Sequence, residues 1–104
     1  MLVAFSVAPS VATDSQGSVH DAVAAAVRIV RDSGLPNHTY SMFTTIEGDW
    51  DEVFAVIKAA TEAVGAFGSR VSLVLKADIR PGRTGELTGK LERLESALGQ
   101  EKSV

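Results

Sequence analysis

The chain has 104 residues, a formal charge of −3, no cysteine and two histidines. That length supports one hydrophobic core and leaves no room for a second. A weak negative balance without a Lys/Arg run argues against nucleic acid as a partner, and the lack of cysteine removes disulfides, thiolate metal sites and cysteine nucleophiles.

Val3, Phe5 and Val7 alternate with Ala4, Ser6 and Ala8, which predicts a first strand with one strongly apolar face, ended by Pro9. Met1 to Phe5 is apolar at once, with no basic start and no long hydrophobic run. It is therefore expected to be strand rather than signal peptide, and the default expectation is a cytoplasmic protein with no membrane partner. Ser10 to Gly17 is small and polar, hence a loop. Ser18 is placed to cap a helix from Val19 to about Ser33, with Val19, Val23, Ala26, Val27 and Val30 on its apolar stripe and Gly34 as its left-handed stop. His20, in the first turn of that helix, is expected at the surface, and its spacing to His38 offers no metal-ligand pair, so no metal is expected.

After Pro36, the β-prone run His38 to Glu47 is expected to form two short strands around Met42-Phe43. Asp49 and Glu52 have capping-box spacing, and Trp50, Val53, Phe54, Ile57, Ala60 and Val64 predict a second helix toward Gly65, with Trp50 in the core. Arg70 to Arg80 alternates again. Val71, Leu73, Leu75, Ala77 and Ile79 take the core face, and Arg70, Ser72, Val74, Lys76, Asp78 and Arg80 the other. Pro81-Gly82-Arg83 breaks that strand. Leu87, Leu91, Leu94 and Leu98 then predict a third helix, supported by a Glu86–Lys90 pair, and residues 100–104 are expected to be a frayed polar tail on a single domain of residues 1–99.

This order predicts an α+β fold, a ferredoxin-like βαββαβ sandwich with an appended C-terminal helix. Two helices would cover one sheet face. The other would carry Ser6, Thr45, Glu47, Ser72, Val74, Lys76 and Asp78, a surface apolar enough to suggest a second subunit, so a homodimer or homotetramer is expected.

Three segments carry chemistry: Phe5-Ser6-Val7-Ala8-Pro9, Thr44-Thr45-Ile46-Glu47-Gly48-Asp49 and Lys76-Ala77-Asp78-Ile79-Arg80. In order and spacing the chain resembles the small UPF0045-type thiamine-binding proteins, related to the YkoF proteins that bind thiamine or hydroxymethylpyrimidine, and the likeness extends over nearly its whole length. The resemblance implies binding of thiamine or its pyrimidine fragment rather than a reaction, with no cofactor. A complement for a cationic two-ring heterocycle needs carboxylates, hydroxyls and a stacking surface. Glu47 and Asp78 offer the first, Thr44 and Thr45 the second, and Phe43, Tyr40 or Trp50 the third. The ligand-binding set expected from this is Phe43, Thr44, Thr45, Glu47 and Asp78. Phe43 stands where the family often has a smaller residue, which would narrow the pocket.

Each charge has a plainer use. Glu47 can pair with Lys76, and Asp78 with Arg70 or Arg80, as strand charges usually do. Glu47 and Asp78 also have the makings of an acid/base pair, but no nucleophile with an orienting base accompanies them, and Pro81-Gly82-Arg83-Thr84-Gly85 lacks the Lys-Ser/Thr ending of a phosphate loop. No catalytic residue is expected. The resulting expectation is a non-catalytic binder serving carriage, buffering or sensing. The alternative is a self-assembling structural or regulatory module without a small ligand, and the third choice an enzyme of thiamine metabolism.

Overall fold

Alternation fixes which side of the first strand is inside: Val3, Phe5 and Val7 are buried and the residues between them only half so. In the computed structural model, which describes residues 1–12 and 18–102, that strand is β1 (Leu2–Ala12). It is followed by α1 (Ser18–Asp32), β2 (Asn37–Thr39), β3 (Thr44–Glu47), α2 (Trp50–Gly65), β4 (Gly68–Asp78) and α3 (Glu86–Lys102). The strands form one antiparallel sheet in the order β2-β3-β1-β4. This is the ferredoxin-like α+β arrangement, with α3 as the appended helix.

The core lies between one sheet face and two helices. Val3, Phe5, Val7 and Ile46 supply the sheet side, Ala22, Ala26 and Val30 the α1 side, and Val53, Ile57, Ala60 and Val64 the α2 side. Gly34 takes a positive φ of 79° and stops α1 as expected. At the start of α2 the Asp49–Glu52 capping box forms, the Glu52 carboxylate accepting the Asp49 N–H at 3.2 Å.

Several expectations are corrected. Pro9 does not end β1, which continues to Ala12. β3 pairs with β1 only from Leu2 to Phe5, so one edge of β1 is open beyond Phe5 and a proline there sacrifices little; the ladder to β4 shifts register just after it. The inward stripe of α1 is Ala22, Ala26 and Val30, while Val19 and Val23 are exposed. Trp50 is largely exposed and packs on Phe54, ring centroids 4.7 Å apart, instead of entering the core.

On β4, Leu73 and Leu75 pair with Val7 and Phe5 and so share the helix-covered face, yet both remain exposed because β4 is the sheet edge and the helices centre on its interior. α3 runs to Lys102, past Gly99, so residues 100–102 continue the helix instead of beginning a tail. The loop expected from Ser10 to Gly17 is strand through Ala12, and its residues 13–17 lie outside the described set, as does the Ser18 side chain assigned a cap.

Candidate functional site

Because β3 stops pairing at Phe5, the turn joining β2 to β3 lies along the open edge of β1. The Tyr40 N–H donates to the Phe43 carbonyl at 2.9 Å and closes this turn. Between the turn, β1 and α1 lies a half-enclosed cavity of about 170 Å³, lined among others by Ser6, Val23, Val27, Tyr40, Phe43 and Thr44. Thr44 is buried, and among the described residues no hydrogen bond engages its hydroxyl. The walls are mainly apolar. Such a slot accepts a flat ring between aromatic and aliphatic surfaces and offers hydroxyls to its edge.

Strand alternation sends the next candidates to the opposite face. Thr44 pairs with Phe5 on the core side, whereas Thr45 pairs with Ala4 and Glu47 with Leu2 on the open side. Asp78 also pairs with Leu2, so Glu47 and Asp78 flank one β1 residue on that face. There α3 lies over the sheet, and Leu2, Tyr40, Thr45, Leu87, Lys90 and Leu91 line a second crevice, more open and larger at about 480 Å³. The five expected ligand residues therefore divide: Phe43 and Thr44 at the enclosed slot, Thr45 at the crevice, and Glu47 and Asp78 against α3. Tyr40 touches both spaces.

The charges of the open face hold α3 in place. Glu47 is buried, and its carboxylate accepts the Glu86 N–H at 2.8 Å and the Leu87 N–H at 3.2 Å. A carboxylate at a helix start meets unsatisfied N–H donors and the positive end of the helix dipole. Asp78 pairs with Lys90 at 2.6 Å, and that hydrogen bond holds the Asp78 carboxyl below its ordinary range. Glu86 is bound by Arg93 at 2.7 Å, with Arg83 at 3.9 Å, and the Arg93 hydrogen bond likewise lowers its carboxyl. These contacts replace the expected pairings of Glu47 with Lys76, Asp78 with Arg70 or Arg80, and Glu86 with Lys90. Strand-to-strand geometry suggested the first two, but a helix lying on that face offers closer partners.

Sequence reasoning missed Val23 and Val27 as cavity walls. The signal was available: α1 carries more valine than its buried alanine stripe requires, and the surplus faces the slot.

A ferredoxin-like sheet with a ring-sized slot beside its β2–β3 turn defines a small α+β domain suited to holding a compact ligand. The chain belongs to the thiamine-binding protein family, whose model matches residues 3–95. It is 52% identical to the UPF0045 protein Mb1933 of Mycobacterium bovis over 99 residues, covering 94% of each chain. Among solved structures it is similar to the hypothetical protein MJ1052 of Methanocaldococcus jannascii, with a TM-score of 0.78, 28% identity and coverage of 90% and 94%. It is also similar to a Thermotoga maritima protein put forward as a thiamine biosynthesis/salvage protein, with a TM-score of 0.69, 25% identity and coverage of 84% and 91%.

Proposed function

We propose that this chain is a non-catalytic, cytoplasmic binder of thiamine or its hydroxymethylpyrimidine fragment, used for carriage, buffering or sensing. The observation that carries the reading is the slot between α1 and the β2–β3 turn, where Phe43 and Tyr40 meet the buried Thr44. Its volume of about 170 Å³ decides how a ligand sits. Pockets that engulf whole drug-sized molecules occupy about 300–1,000 Å³. A single flat ring enters here, and the rest of a two-ring cation stays at the mouth against Tyr40, where an aromatic face attracts positive charge. Family membership supports the choice of ring. Glu47 and Asp78 belong to the support of α3 in this reading, and Thr45 to the crevice beside it.

We also infer two-fold self-association, because the sheet ends on a long uncovered strand. Calorimetric titration with thiamine, its hydroxymethylpyrimidine fragment and the isolated thiazole tests the ligand. Saturable heat with the first two and none with the third is expected. Absence of binding by both pyrimidine compounds overturns the reading, and turnover of either in the recovered mixture overturns its non-catalytic part.

A further inference from the structure

The first turn of α2 and the chain leaving β4 meet at the end of the sheet where Leu2 pairs with Glu47 and Asp78, away from the slot beside Phe5 to Ala8. Asp49, Trp50, Ile79, Arg80, Arg83 and Thr84 line a hollow of about 290 Å³ there. Arg80-Pro81-Gly82-Arg83 is a tight turn: the Arg83 N–H donates to the Arg80 carbonyl at 3.1 Å, and Gly82, behind the proline, takes the positive φ of 78° that a type II turn requires. Such a turn holds its end residues less than about 7 Å apart at Cα, so both arginines issue from one fixed point.

Their charge is not consumed inside the protein. Asp78 is paired with Lys90 at 2.6 Å and Glu86 with Arg93 at 2.7 Å, so the acids that feel Arg80 already hold closer cations. Arg83 stands 3.9 Å from Glu86, and among the described residues Arg80 has no ion-pair or side-chain hydrogen-bond partner. Asp49, the only acid among the described residues of the lining, is committed to the α2 capping box. An acidic chain thus carries a local positive surplus. Trp50 makes the hollow more than an anion patch. It is 57% exposed and Ile79 54%, so a large indole and an isoleucine are left in water beside two guanidinium groups.

We propose that this hollow is a second binding site, for an organic phosphate ester that carries a neutral flat ring, as a nucleoside monophosphate does. The guanidinium groups of Arg80 and Arg83 take the phosphate oxygens, a contact that arginine's planar fork fits better than lysine. The Thr84 hydroxyl adds a donor, and the ring lies on Trp50 and Ile79. Size restricts the ligand, because the hollow is no larger than the smallest of the pockets of about 300–1,000 Å³ that engulf drug-sized molecules. Charge restricts it too: the cationic ring of a thiamine phosphate is repelled by the same arginines. The site is independent of the slot and of self-association.

Trp50 is the only tryptophan in the chain, so its fluorescence reports the site directly. Titration with adenosine monophosphate should quench it saturably, whereas adenosine and inorganic phosphate, each lacking half of the ligand, should bind about tenfold more weakly or worse. Arg80→Gln removes a charge-assisted contact without breaking an ion pair of the fold, and should weaken adenosine monophosphate about tenfold or more at unchanged Tm. Trp50→Leu, followed by calorimetry, should weaken it as well. Thiamine should bind the wild type and Arg80→Gln alike. No saturable quenching by adenosine monophosphate up to millimolar concentration overturns the site, and wild-type affinity in Arg80→Gln overturns its placement at the turn. Equal binding of inorganic phosphate overturns the role of the ring, and tighter Arg80-dependent binding of thiamine monophosphate overturns the choice of a neutral one. Each of these results leaves the reading of the slot standing.

Discussion

Glu47 and Glu86, two acids, are joined across the open face of the sheet by the Glu86 backbone N–H, which donates to the Glu47 carboxylate at 2.8 Å. The arrangement is tolerable because the Glu86 side chain turns away to Arg93. Glu47 thus binds the chain leaving β3 to the first turn of α3. Replacing it with glutamine keeps the shape but removes the charge from a buried acceptor of two backbone donors. A loss of about 1.5–3 kcal/mol is expected, the range for hydrogen bonds to a charged group. Hydrogen exchange at the Glu86 and Leu87 amides should accelerate together with a fall in Tm, while affinity for a pyrimidine ligand stays unchanged. Unaltered exchange at both amides would show that α3 is held by other contacts.

Acid should release α3. The hydrogen bonds from Lys90 to Asp78 and from Arg93 to Glu86 lower both carboxyls in the folded state. A carboxyl with a depressed folded pKa contributes stability that is complete above its unfolded value, near 4, and lost as pH falls through the folded value. Helical signal from α3 should therefore fade below about pH 4. Carbon-detected titration of the Asp78 side chain should place its midpoint below that of a free aspartate in the wild type and closer to it in Lys90→Gln. Identical midpoints in the two proteins would discount the ion pair.

Periodicity disclosed the fold because each main element repeats its apolar residues at its own spacing: Val3/Phe5/Val7 by twos, Val53/Ile57/Ala60/Val64 by threes and fours. It was less informative where two faces of one element are apolar. In α1 both the Ala22/Ala26/Val30 line and the Val19/Val23/Val27 line fit a helical stripe, and residue size favours the valines, whereas the close-packed core takes the alanines. The site was legible only in part for a related reason. Thr44 and Thr45 are adjacent in sequence and opposed in space, and no local pattern foretells that α3 lies over Glu47. A carboxylate capping a helix start 39 residues away has no local signature.

The α1 register can be checked by stability alone. Ala22 is fully buried in the core, so Ala22→Leu overfills it and should cost about 1–3 kcal/mol. Val19 is about half exposed, and Val19→Ala should stay within about 0.5 kcal/mol of the wild type. Urea midpoints at unchanged slope measure both. Equal costs would mean that the helix is rotated from the position described.

The slot itself is testable from both of its walls. Thr44→Val removes the hydroxyl and retains the β-branched volume, so the loss of one neutral hydrogen bond, about 0.5–1.5 kcal/mol, should weaken a pyrimidine ligand roughly two- to tenfold. Val23→Phe acts from the α1 side, where Val23 is 42% exposed and lines the cavity. Its larger ring can occupy the space without entering the core, so Tm should hold while the calorimetric signal disappears. Because a pure stability defect would lower both readouts, loss of binding at constant Tm assigns the effect to the slot. Retention of wild-type affinity by folded Val23→Phe would place the ligand elsewhere, and the crevice formed by Thr45, Leu87 and Leu91 would become the site to fill next.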